Sequence, residues 1–258
     1  MSTVLHHEVH GQPGKLELVL LHGWGLHSGV WKPLLPLLTP HFRVTCVDLP
    51  GFGRSPATIS YAAFFDAVLP LVPARALWVG WSLGGLLALE MAARHPERVQ
   101  ALSLIAATPC FLQRDDWRPA MALTVFEDFV ASLQESPLLT LESFLSLQCK
   151  GSASMRSDIR FLHEVVEQGP NLATATLLNG LQLLERGDLR TKFAALRQPV
   201  QFLLGEKDVL VPASLQVSLK VLRAGTDIVV IPQAAHVPFL SHPQRCADEL
   251  LRFAGALK

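Results

Sequence analysis

The chain is 258 residues long and half of them are hydrophobic, yet it has no apolar run of about 18 residues, the length that reads as a membrane-spanning helix. It has no excess of charge either: Lys plus Arg number 22, and so do Asp plus Glu. A neutral chain lacks the field that draws proteins to nucleic acid or to anionic membrane, so neither is expected as a partner. The first residues, MSTVLHHEVHGQPG, lack a basic segment followed by an apolar one, and no secretory signal is read there. The four cysteines, Cys46, Cys110, Cys149 and Cys246, are scattered with no C-x-x-C spacing. That argues against a disulfide framework and against a zinc site, and it fits a reducing, cytoplasmic setting. No metal or other cofactor is expected. Internal repeats and low-complexity segments are absent.

What is present is an alternation. Apolar runs at Leu16–Leu21, Arg43–Val47, Ala76–Gly80, Val99–Ile105, Val200–Leu204 and Asp227–Ile231 read as strands. Amphipathic stretches at Ser28–Leu38, Tyr61–Leu71, Leu83–Arg94, Pro212–Leu222 and Pro243–Phe253 read as helices. Strands alternating with helices predict an α/β fold, a mostly parallel sheet with helices on both faces. The alternation breaks between about Phe111 and Arg190, where helical patterns are interrupted only at Pro137, Gly151 and Gly169-Pro170. A structureless connection of that length is implausible. The reading is a core of residues 1–110 and 191–258 with a helical cap over it, residues 111–190.

Gly80-Trp81-Ser82-Leu83-Gly84-Gly85 carries the strongest chemical signal. It is G-x-S-x-G between a strand and a helix, the pattern of a nucleophile elbow. The turn is so tight that side chains flanking the serine by two residues would clash, so glycine is needed on both sides. Ser82 is the expected nucleophile, held in a strained backbone conformation at the positive end of the next helix. A packing or phosphate turn is the plainer alternative, but no G-x-G-x-x-G follows the first strand.

A serine nucleophile needs two preorganised N–H donors for the oxyanion. Leu83, directly after it, supplies one. Trp24, in His22-Gly23-Trp24-Gly25 after the first apolar run, supplies the other. Chain order in an elbow hydrolase is serine, acid, histidine. Of His95, His163, His236 and His242, only His236 lies in a loop leaving the last strand on the catalytic side. Asp208 and Glu206 both follow Val200–Leu204, and Asp208 is preferred because it stands further beyond the strand end. Asp227 begins a strand, at the wrong edge of the sheet. Asp208 would hold the imidazole tautomer of His236, the general base.

Leu21-His22-Gly23-Trp24-Gly25, Val47-Asp48-Leu49-Pro50-Gly51-Phe52-Gly53-Arg54-Ser55, the Gly80–Gly85 elbow and His95-Pro96-Glu97-Arg98-Val99 resemble the α/β-hydrolase superfamily. Within it, the elbow, Ala235-His236-Val237-Pro238-Phe239-Leu240-Ser241-His242-Pro243 and the segment from Arg118 to Phe144-Leu145-Ser146-Leu147-Gln148 resemble the pimeloyl-acyl-carrier-protein methyl ester esterases of biotin synthesis. The resemblance implies an esterase of a masked pimeloyl chain. It implies an acyl site formed by Trp24, Ser82, Leu83, Phe144, Leu145, Ser146, Leu147, Gln148 and His236. It also implies acyl carrier protein as partner, docked on Arg156 and Arg160, which stand one helical turn apart. The expected state is a monomer. A general short-chain carboxylesterase or lactonase and a carbon–carbon bond hydrolase share the same triad, and a non-catalytic binding protein is the reading of another class. Dehalogenases and epoxide hydrolases are disfavoured, because they carry a carboxylate where Ser82 stands.

Overall fold

The computed structural model describes residues 4–57, 60–170 and 172–257. Among these residues one sheet contains β1 (His7–His10), β2 (Leu16–Leu21), β3 (Phe42–Val47), β4 (Ala76–Trp81), β5 (Val99–Ile105), β6 (Val200–Gly205) and β7 (Asp227–Ile231). The strands lie in the order β1-β3-β2-β4-β5-β6-β7. Neighbours run parallel except β1, which pairs antiparallel with β3, His7 opposite Val47. Every residue of β4 and β6 is buried, because helices cover both faces and no polar alternation is needed. β1 is a half-exposed edge strand, His-Glu-Val-His, with no apolar run to mark it, and the sequence reading passed over it.

The helices are α1 (Leu35–Leu38), α2 (Tyr61–Val68), α3 (Leu83–Arg94), α4 (Leu123–Glu135), α5 (Pro137–Gln148), α6 (Met155–Gln168), α7 (Thr174–Arg186), α8 (Arg190–Ala195), α9 (Leu215–Leu222), α10 (Pro238–Ser241) and α11 (Pro243–Gly255). The helix expected over Ser28–Leu38 is instead a 3₁₀ turn at Ser28–Trp31 followed by α1. Pro33 and Pro36 each lack the backbone N–H that a continuous helix would use. α2 stops at Val68: Leu69 keeps helical dihedrals, but Pro70 after it has no N–H with which to continue the ladder. The helices α4 to α7 form an insertion between β5 and β6. It leaves and re-enters the core side by side: Cys110 bridges Asp188, and Leu189 N–H donates to the Pro109 carbonyl at 2.8 Å. Among the described residues no helix is long and apolar enough to cross a membrane. All four cysteines are free and buried.

In a parallel sheet the loops that follow the strands gather at one edge, and here one buried carboxylate organises two of them. Asp48 directly follows β3. Its Oδ1 accepts the Ser28 N–H at 2.8 Å and its Oδ2 the Arg54 N–H at 3.0 Å. Gly53 has φ +54°, and a Cβ there would strike the Asp48 carboxylate. Burial opposes the charge on Asp48, but nearby His22 and these N–H donors outweigh it, and its carboxyl titrates below the usual range. A depressed carboxylate contributes stability that is present above its unfolded pKa of about 3.9 and is lost as pH falls through the lower folded value. Asp48→Ala should therefore lower stability at neutral pH by about 2–4 kcal/mol, the loss of two charge-assisted bonds. The urea-unfolding midpoint measures it, and an unchanged midpoint would mean that the two loops hold themselves.

Candidate active site

Ser82 joins β4 to α3 with φ 53° and ψ −117°, a conformation that persists only where surroundings over-determine it. They do. Its N–H donates to the Ile105 carbonyl at 3.0 Å, and its own carbonyl accepts Gly85 N–H at 2.9 Å and Leu86 N–H at 3.2 Å. A Cβ on Gly80 would meet the backbone of Gly84, and one on Gly84 would meet the carbonyls of Leu21 and His22. The glycines therefore serve the closeness of α3 to the sheet as much as the turn itself.

The structure brings Ser82, His236 and Asp208 together. Ser82 Oγ lies 3.0 Å from His236 Nε2, and His236 Nδ1 lies 2.8 Å from Asp208 Oδ2. His236 and Asp208 are almost wholly shielded from solvent. The other oxygen of Asp208 accepts N–H bonds from Leu210 at 2.8 Å and Val211 at 2.9 Å, which fixes the carboxylate toward the ring. His236 is held through its backbone as well: its N–H donates to the Gln148 carbonyl at 3.0 Å, and its carbonyl accepts the Trp81 indole N–H at 2.8 Å. With Asp208 accepting from Nδ1–H, Nε2 is left to accept the Ser82 proton.

The competing candidates lie elsewhere. Glu206 is exposed and accepts the Gln233 N–H at 2.9 Å. Asp227 pairs with Arg252 at 2.6 Å. His95 faces Glu97 at the end of α3, His242 bonds Ser241, and His163 lies on α6.

Beside Ser82 is an apolar cavity of about 60 Å³, walled by Trp24, Phe126, Phe129, Phe144, Leu147 and Leu181 among others. Trp24, Phe129 and Phe144 meet one another at ring-centre distances of 5.0–5.7 Å. The Trp24 indole N–H donates to Leu177 at 2.8 Å, so α7 clamps it. On α5 the residues three apart, Phe144 and Leu147, face the cavity. Leu145 and Gln148 are buried on another side of that helix and Ser146 is half-buried, and none of the three lines the cavity. Phe126, Phe129 and Leu181 went unforeseen, because an aromatic or leucine stripe at helical spacing looks the same whether it meets a core or a cavity.

His22 is a further unforeseen member. Wholly buried, it bonds the Gly23 carbonyl through Nδ1 at 2.8 Å, and its Nε2 accepts the Leu49 N–H at 2.9 Å. The ring is thus neutral with its proton on Nδ1, and burial pushes its pKa down to about 4. The Gly23 carbonyl and the Trp24 N–H belong to one planar peptide and point opposite ways. Anchoring the carbonyl therefore sets the direction of the Trp24 N–H.

A family model described as the alpha/beta hydrolase fold matches residues 18–243. The chain is 42% identical over 245 residues to the pimeloyl-acyl-carrier-protein methyl ester esterase of Pectobacterium carotovorum, covering 94% of this chain and 96% of that one. It is 42% identical over 243 residues to the protein of the same name from Yersinia enterocolitica, covering 93% and 94%. Among solved structures, a bromoperoxidase from Bacillus anthracis superimposes with a TM-score of 0.86 at 20% identity, covering 97% of this chain and 95% of that one. An enol-lactonase from Burkholderia xenovorans does so with 0.84 at 19%, covering 97% and 96%. At such identities the structures share the fold alone.

The His22 geometry has a consequence for acid stability. A histidine whose folded pKa lies below its unfolded value of about 6.5 contributes stability that is fully present above about 6.5. That contribution is lost as pH falls toward 4, where the folded ring protonates. Unfolding free energies by urea at pH 4.5 and 7 should therefore differ less in His22→Asn than in the parent, by about 2–3 kcal/mol. Equal pH dependence in the two proteins would mean that His22 is not held neutral.

Proposed function

Since the chain belongs to the α/β-hydrolase fold family and, within it, to the pimeloyl-acyl-carrier-protein methyl ester esterases, we propose that it is a cytoplasmic serine esterase that cleaves the methyl ester of a pimeloyl chain carried on acyl carrier protein, in biotin synthesis. The observation that carries the chemistry is the run of hydrogen bonds from Ser82 through His236 to Asp208, opening on an apolar cavity. Ser82 Oγ attacks the ester carbonyl while His236 Nε2 takes its proton. The oxyanion is held by the N–H groups of Trp24 and Leu83, the latter at the first turn of α3, where N–H groups have no partner within the helix. The tetrahedral intermediate collapses, methanol leaves with the proton from His236, and an acyl-enzyme remains. A water, deprotonated by His236, then releases the carboxylic acid. Asp208 stays ionised throughout and stabilises the imidazolium.

The α4–α7 insertion acts in this reading as a cap over Ser82, its Phe129, Phe144 and Leu147 gripping the acyl methylenes at about 0.8 kcal/mol for each one buried. A cavity of about 60 Å³ is small for such a chain, so the aromatic walls move apart to admit it. The outer face of α6 is the docking surface for the acidic carrier. Arg156 and Arg160 are exposed there, as is Lys150 just after α5, and none of the three enters an ion pair among the described residues. Asp158, between them in sequence, turns inward to accept from Ser152 and Ser154.

Two measurements test this. Ser82→Ala and His236→Ala should each lower kcat by about 10⁴–10⁶ on the carrier-linked methyl ester, since triad members act as a unit. Near-parental activity in either would remove the triad. A parent enzyme that cleaves p-nitrophenyl esters but leaves the carrier-linked ester intact would make it a general esterase instead. Arg156→Glu combined with Arg160→Glu should lower kcat/KM several-fold for the carrier-linked ester and hardly at all for a small free ester. The defect should shrink at high salt, because exposed charges act mainly on association rate and are screened. Equal losses on both substrates would assign the two arginines to cap folding.

A further inference from the structure

A second cavity, about 650 Å³, lies away from Ser82 in a groove between α2, α3, α7 and α8. That is the size of a small-molecule site. It shares no lining residue with the Trp24–Phe144 cavity. Only Leu86, on the first turn of α3, lines both the groove and the narrow space behind Ser82, so its side chain is part of the wall between them.

Three properties of the groove point to one kind of ligand. Its floor is apolar, made by Phe65 from α2, Leu87 from α3 and Leu183 from α7. Its charged lining is basic on balance: Arg94, Arg186 and Lys192 against Glu90 alone, in a protein whose net charge is zero. Glu90 is largely buried and fixes two of these cations, accepting from Arg94 Nε at 2.6 Å and from Lys192 Nζ at 2.6 and 2.7 Å. Arg94 also lies over the Phe65 ring, 4.5 Å from its centre, which joins the cationic and apolar parts of the groove. Arg186 is exposed and enters no ion pair among the described residues. Finally, Tyr61 lines the groove, while its hydroxyl is shut off from solvent and has no hydrogen-bond partner among the described residues. A buried hydroxyl left without a partner is uncommon and calls for an explanation.

We propose that this groove is a second ligand site, for an amphiphilic anion of medium chain length. The apolar body lies on Phe65, Leu87 and Leu183. The anionic oxygens are held by Arg94, Arg186 and Lys192, and the Tyr61 ring turns on binding so that its shielded hydroxyl donates to an oxygen of the ligand. The site stands apart from the reaction at Ser82 and does not depend on the identity of the ester hydrolysed there.

The test is a titration of the full chain with octanoate and with octyl phosphate, octan-1-ol and inorganic phosphate serving as controls. Affinity is read by calorimetry and location by backbone-amide NMR. Saturable octanoate or octyl phosphate binding is expected, with the largest shifts at Tyr61, Leu87, Gln182 and Arg186. The tighter of the two anions identifies the head group. Octan-1-ol and inorganic phosphate should each bind at least about tenfold more weakly, since each lacks one half of the ligand. Arg186→Gln should weaken the anion about threefold to tenfold, as expected for one partly screened charge. Tyr61→Phe should leave the melting temperature unchanged or raised, because it removes an unsatisfied hydroxyl, and yet weaken binding. A purely structural tyrosine would not give that pair of results. Hydrolysis of a short ester by Arg186→Gln should match the parent. Shifts confined to Trp24, Phe129 and Phe144, equal affinity for octanoate and octan-1-ol, or unchanged affinity in both variants would overturn the proposal.

Discussion

The first turn of α3 lies so close to the sheet that no Cβ fits at Gly80, Gly84 or Gly85, and the site follows from that approach. With those side chains gone, the helix can begin one residue after the strand ends. Ser82 joins them at positive φ, its hydroxyl turned to His236 and its N–H and carbonyl already committed to Ile105, Gly85 and Leu86. The parallel sheet does the rest. Because β2, β3, β4, β6 and β7 all run the same way, the loops bearing Trp24, Asp48, Ser82, Asp208 and His236 open at the same edge. Residues far apart in the chain meet without any long excursion, where α/β sheets commonly bind ligands.

Burial then decides what those residues can do. Asp208 carries its charge out of reach of solvent, and the two backbone N–H groups of Leu210 and Val211 together with the His236 ring make that charge affordable. His22 shows the opposite solution to the same problem: a buried imidazole with one acceptor and one donor facing it stays neutral and becomes a fixed strut. The two histidines differ in what surrounds them, one aimed at a hydroxyl and the other spent entirely on backbone.

Much of this was legible in the sequence, for local reasons. G-x-S-x-G, the glycines of His22-Gly23-Trp24-Gly25 and the chain order of serine, acid and histidine each express a constraint that acts within a few residues, and the Ser82, Asp208 and His236 side chains do lie within hydrogen-bonding distance. Asp208 is favoured over Glu206 in the sequence by standing further beyond the strand end, but the N–H donors two and three residues on that fix its carboxylate are not displayed by the pattern. The walls of the cavity were only half legible, since Phe144 and Leu147 face it while Phe129 comes from a different helix of the insertion. β1 was hidden because an edge strand need not be apolar. The overlong helices at Ser28–Leu38 and Tyr61–Leu71 were readable errors, as the prolines that cut them stand in plain view.

The bond from His236 N–H to the Gln148 carbonyl ties the base to the far end of α5, yet it uses backbone atoms on both sides. Any residue at position 148 other than one that distorts the helix end supplies the same carbonyl. The insertion can therefore exchange its inward-facing side chains, and with them the shape of the cavity, while its grip on the base survives. Divergence of substrate preference and preservation of the reactive geometry are separable in this architecture, because the first is written in side chains and the second, at this junction, in main chain.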